Sequence, residues 1–90
     1  MRYEMIFLDR DGTLNPDPGY ISRREDFHFF DFTLEALSRL KGNSFIIITN
    51  QSGVARGRIS EQNLEAIHAY VRQSFREHGI DLKAIYVCTD

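Results

Sequence analysis

Met5-Ile6-Phe7-Leu8-Asp9-Arg10-Asp11-Gly12-Thr13 is an apolar run that stops at an acid, repeats the acid two residues later and then meets a glycine. The run is continuous rather than alternating, the pattern of a strand buried on both faces, as in a parallel sheet. Two further runs of this kind follow, Phe45-Ile46-Ile47-Ile48 and Ala84-Ile85-Tyr86-Val87-Cys88. Helical patterns fill the gaps between them. Leu34, Leu37 and Leu40 recur at helical spacing between Thr33 and Lys41, with Asp31 or Thr33 as the cap and Gly42 as the stop. The second pattern is stronger. Ser60 caps, Glu61 sits in the first turn, Leu64, Ile67, Val71 and Phe75 line one face, and Gly79 closes the helix after His78. The order strand, helix, strand, helix, strand makes two successive βαβ units. It predicts an α/β, Rossmann-like parallel sheet with right-handed crossovers.

Composition narrows the function classes. Ninety residues allow one domain, here residues 1–90, and are few even for that. A hydrophobic fraction of 42% is that of a folded chain. A net charge of −2 gives no basic footprint for nucleic acid. No apolar stretch is long enough to span a bilayer, and the N-terminus has no signal-like run. The lone Cys88 excludes an internal disulfide framework and fits a reducing compartment. A cytoplasmic chain, with no membrane or nucleic-acid partner, is expected. The stretch Asn15 to Phe32, with Pro16, Pro18 and Gly19, fits neither period and reads as a loop with a short extended piece. A loop of that length in so small a domain is usually functional.

Ligands of open parallel sheets bind outside the carboxyl ends of the strands. Asp9 and Asp11 stand at the end of the first strand, where two close acids repel unless a cation or a proton offsets them. Mg2+ is the natural compensation, since it takes hard oxygen ligands and leaves positions for phosphate oxygens. One carboxylate can then attack phosphorus while the other trades a proton. From the pair alone, a solvated acidic turn is equally consistent. The second strand ends in Thr49-Asn50-Gln51-Ser52-Gly53-Val54-Ala55-Arg56-Gly57, donors and glycines able to wrap an anion. Its strand is expected beside the first, so the two loops should face one crevice. Arg56 suits a second phosphate or a sugar acid through bidentate bonds, and equally a solvated position before the Ser60 helix.

Asp9-Arg10-Asp11-Gly12-Thr13 resembles the first signature of the haloacid dehalogenase superfamily of phosphatases, and Thr49 after its apolar strand resembles the second. Together with Asp17-Pro18-Gly19-Tyr20 and the run Thr49 to Gly57, these stretches resemble the D,D-heptose 1,7-bisphosphate phosphatase and histidinol-phosphatase branch. The resemblance implies a Mg2+-dependent phosphomonoesterase acting on a small phosphorylated metabolite through an aspartyl phosphate. Asp9 would be the nucleophile and a metal ligand, and Asp11 the general acid/base, giving the metal its backbone carbonyl. Thr49 would hold the transferring phosphoryl group. Arg10, Asp17, Pro18, Gly19, Tyr20, Asn50, Gln51 and Ser52 would contact substrate, with Asp17 to Tyr20 in a small flap after the first strand.

The same resemblance implies further groups downstream: a lysine, and an acid that completes the metal shell. Lys41 suits the end of a helix and Lys83 precedes the third strand, so neither replaces that lysine by position. Zinc-bearing members continue from the position of Cys88 with more ligands. Cys88 alone cannot hold structural zinc, Asp90 stands where those members carry histidine, and a buried thiol is expected. The chain thus resembles the N-terminal half of a phosphatase and is expected to be inactive alone. Its first strand would be an apolar edge that invites self-association. Two other readings remain, a non-catalytic Mg2+- or phosphate-binding fragment, and a phosphoacceptor module that would use Asp90 after the third strand. Of the histidines, His68 is expected packed against the apolar helix face and His78 at a helix end, while His28 lies in the flap region. Phe27, Phe29, Phe30 and Phe32 are expected as core packing.

Overall fold

The computed structural model describes residues 4–11, 14–15, 24–40, 42–51, 57 and 60–88. Thr13, Asp17, Pro18, Gly19, Tyr20, Ser52 and Arg56 lie outside the described residues, as does Asp90. The elements run β1 (Glu4–Asp9), a 3-10 turn (Arg24–Asp26), α1 (Thr33–Ser38), β2 (Asn43–Asn50), α2 (Glu61–Glu77) and β3 (Asp81–Cys88). The strands form one parallel sheet in the order β1-β2-β3. The expected strand-helix alternation is therefore present, and each strand extends the apolar run that marked it.

The core lies between one face of this sheet and α2. Leu64, Ile67, Val71 and Phe75 fall on one side of the helix and are buried, and the last three join Phe45 and Ile47 of β2 in one cluster, with Ile6, Leu8, Leu82 and Ile85 packed around it. Each such apolar side chain contributes roughly 1.5–3 kcal/mol when taken out of water. Ser60 caps α2 as expected, its hydroxyl accepting the Asn63 amide N–H at 3.0 Å. At the other end His78 is the C-cap, and Gly79 takes a positive φ of 68° that a residue with a Cβ adopts only under strain.

Three expectations need correction. The continuous apolar strands are not covered on both faces. Met5, Phe7, Ile48 and Tyr86 are exposed, because the described helices α1 and α2 pack on the opposite side. The first helix ends at Ser38, and neither Asp31 nor Thr33 caps it. Phe32 occupies the N-cap without a side-chain bond, and the Thr33 hydroxyl instead donates to the Leu14 carbonyl at 3.1 Å. Cys88 is exposed rather than buried, at the end of the edge strand β3. The phenylalanines divide. Phe27 is wholly buried and meets Phe29 edge-on at 5.2 Å, whereas Phe32 is exposed and stacks on Phe30.

Candidate active site

The register brings the ends of the first two strands together. Asp9, the last residue of β1, pairs with Ile48, so Thr49, Asn50 and Gln51 continue beside Arg10 and Asp11. A tight turn holds the first loop, with the Leu14 amide donating to the Arg10 carbonyl at 2.9 Å. The Gln51 amide donates to the Cys88 carbonyl of β3 and so fixes the start of the second loop.

The two acids then take different surroundings. Among the described residues, nothing hydrogen-bonds the exposed Asp9 carboxylate, which stands open at the strand end. Asp11 is held on both oxygens. Its Oδ1 accepts from Arg10 Nε at 2.9 Å and Asn15 Nδ2 at 2.8 Å. Its Oδ2 accepts from Arg10 Nη2 at 2.8 Å and Gln51 Nε2 at 2.9 Å. Burial pushes the Asp11 carboxyl up, but the Arg10, Asn15 and Gln51 hydrogen bonds and the Arg10 charge outweigh it and leave the group below its ordinary value. One carboxylate is open to a ligand and the other is clamped as an anion.

Arg10 differs most from expectation. Its side chain is wholly buried rather than turned to a ligand. It grips Asp11 in a fork, its guanidinium lies over the Phe27 ring at 5.4 Å, and Nη1 faces His68 Nε2 on α2 at 3.3 Å. A guanidinium only donates, so His68 Nε2 accepts and its proton sits on Nδ1. Burial, then the Arg10 and Arg72 charges, lower the His68 pKa to about 4 and keep the ring neutral. The sequence placed His68 on the packed face of its helix. Nothing in the spacing showed that it meets a residue 58 positions earlier.

Gln51, expected at substrate, is buried instead and spans the two motifs. Its amide donates to Asp11 and, at 2.7 Å, to the Thr49 hydroxyl. Thr49 is buried beside it, and Asn50 is exposed. Among the described residues no three acid, histidine or cysteine side chains gather to hold a metal. The described donors that fit Mg2+ are therefore a partial set, in which the open Asp9 carboxylate stands. The Asp11 carboxylate oxygens are already engaged by four donors.

No family model matches the chain. It is 46% identical over 85 residues to D-glycero-beta-D-manno-heptose-1,7-bisphosphate 7-phosphatase of Pasteurella multocida (strain Pm70), covering 92% of this chain and 46% of that protein. Its fold matches the crystal structure of D,D-heptose 1.7-bisphosphate phosphatase from B. bronchiseptica, complexed with magnesium and phosphate. The TM-score is 0.88 at 31% identity, over 96% of this chain and 50% of that one. The chain has a partial haloacid dehalogenase fold. A putative had-like phosphatase from Mesorhizobium loti matches at a TM-score of 0.79 and 32% identity, over 94% of this chain and 42% of that one. The family resemblance carried by the motifs is thus borne out, and the chain spans about half the length of the relatives it matches. No helix among the described residues is long and apolar enough to cross a membrane.

Proposed function

We propose that this chain carries the nucleophile half of a Mg2+-dependent phosphomonoesterase whose substrate is a sugar bisphosphate, with heptose 1,7-bisphosphate as the first candidate. The observation that carries the reading is the division of labour between the two acids. An open Asp9 can approach phosphorus, and Asp11, two residues on, is held at a fixed place and charge. The relatives' names supply the substrate class. The lone Cys88 is compatible with work in a reducing cytoplasm.

In this reading an Asp9 oxygen attacks the phosphorus and the bond to the sugar oxygen breaks, with a proton passing from Asp11 to that leaving oxygen. Water then attacks the aspartyl phosphate, gives its proton to Asp11, and the bond from phosphorus to Asp9 breaks. The Asp11 clamp favours the anion, so the described geometry suits the second, water-activating step. Thr49, tied to Asp11 through Gln51, holds a phosphoryl oxygen. Bound Mg2+ would supply charge neutralisation between Asp9 and the phosphate. Arg10 and Gln51 set the position of Asp11. Asp17, Pro18, Gly19, Tyr20, Asn50, Ser52 and Arg56 are kept as the substrate contacts.

The test is phosphate release from the heptose bisphosphate by a chimera that continues this chain with the remaining part of the Pasteurella multocida relative. Mg2+-dependent release is expected, with a loss on Asp9→Asn of about 10³-fold or more. Release that survives Asp9→Asn refutes the assigned nucleophile. The 90-residue chain alone is expected to be inactive.

A further inference from the structure

His68 is a polar side chain on the packed face of a helix. It follows Ile67 in α2, one turn before Val71 and Phe75, all of them buried, and is itself only 4% exposed. A side chain placed there for packing alone would be apolar, because burying an imidazole costs free energy unless its nitrogens are used. One nitrogen is used. His68 Nε2 lies 3.3 Å from Arg10 Nη1, and a guanidinium has no acceptor, so the ring accepts and carries its proton on Nδ1. The other edge of the same guanidinium goes to Asp11, Nε to Oδ1 at 2.9 Å and Nη2 to Oδ2 at 2.8 Å. The Phe27 ring covers the guanidinium face at 5.4 Å.

We infer that His68 is a positioning residue for Asp11, acting through Arg10. A guanidinium is a rigid plane, and a two-bond fork draws the carboxylate into that plane. Whatever fixes the plane therefore fixes the direction of both Asp11 oxygens. Asn15 and Gln51, the other donors to Asp11, stand outside the helices. His68 instead hangs from α2, a helix of 17 residues capped at Ser60 and packed along its apolar side. Groups carried on such an element are held more precisely than groups on loops. Without an acceptor at position 68, Arg10 Nη1 is left buried and unpaired, which favours turning the guanidinium toward the crevice, where water takes its donors. Asp11 then loses two of its four hydrogen bonds. The residue at position 68 thus decides whether Arg10 clamps the acid or faces the crevice. The inference rests on the acid/base role given to Asp11, and the clamped anion ties it to the water step.

NMR of the 15N-labelled 90-residue chain tests the placement without activity. A His68 ring proton on Nδ1 and an Arg10 Nε–H that exchanges slowly with solvent are expected. His68→Leu should speed that exchange about tenfold or more and shift the Gln51 side-chain amide signals, which report Asp11 Oδ2. His68→Gln, which restores an acceptor, should leave both near the parent values. If His68→Leu loses helix by circular dichroism, His68→Met takes its place. The chemistry is read on the chimera with an aryl phosphate, whose leaving phenolate needs no proton, so that kcat/KM is insensitive to Asp11 and decay of the aspartyl phosphate reads it. Rapid quenching should show that decay about tenfold slower in His68→Leu, with kcat and KM falling together, and within about twofold of the parent in His68→Gln. A ring proton on Nε2, Arg10 and Gln51 signals indifferent to His68→Leu, or an unchanged decay in that variant would each overturn the inference. A parent chimera without turnover counts against the catalytic reading alone, and the NMR readings then decide the placement.

Discussion

Arg10 is the residue on which the site turns. A wholly buried guanidinium is tolerable only when its donors are engaged, and Asp11, His68 and the Phe27 ring engage it. Arg10→Ala strands the Asp11 charge and opens a void. It should destabilise the chain by about 3 kcal/mol or more, read by urea unfolding. Gln51→Ala removes one clamp bond and should cost about 1–2 kcal/mol. His68 adds a pH dependence of known sign. Its folded value of about 4 lies below the ordinary 6.5, so the unfolded chain binds the proton first. The stabilisation is complete above about pH 6.5 and is lost as pH falls toward about 4. At pH 5 the loss should be about 2 kcal/mol relative to pH 7. His68→Gln keeps an acceptor for Arg10 and should flatten that profile between pH 7 and pH 5. An unchanged acid loss in the variant would assign the effect elsewhere.

At the scale of elements, α2 is the best specified. Cap, apolar stripe and stop all point the same way, and all were legible in the sequence. Ser60→Ala should cost about 1 kcal/mol by removing the bond to the Asn63 amide. Gly79→Ala should cost about 1 kcal/mol from backbone strain alone, since a Cβ there meets nothing within 4 Å. Thermal or urea melts of the two variants check both values. The strands were legible too, because continuous apolar runs have few alternatives. The start of α1 was not. Phe32 has no capping side chain, and Thr33 spends its hydroxyl on Leu14 across 19 residues, a partner that no local pattern announces. The direction of the Arg10 side chain was hidden for the same reason. An arginine between two acids reads as a ligand contact until the helix that carries His68 is folded against it.

At the scale of the molecule, the motifs carried the resemblance, the chain spans about half the length of the relatives it matches, and the described sheet is packed on one face only. The motifs identified Asp9 and Asp11 as a pair. Only the fold separates them into an open acid and a clamped one. The same topology exposes Phe7 and Tyr86 on the face where the apolar runs had suggested cover. The most direct test of the catalytic claim is to find where phosphoryl is held. The chimera is quenched during turnover, any acyl phosphate is reduced with borohydride to a homoserine residue, and the site is mapped by mass spectrometry. The expected result is conversion of Asp9, dependent on Mg2+ and on substrate. Conversion of Asp11 or of Asp90 in its place would contradict it.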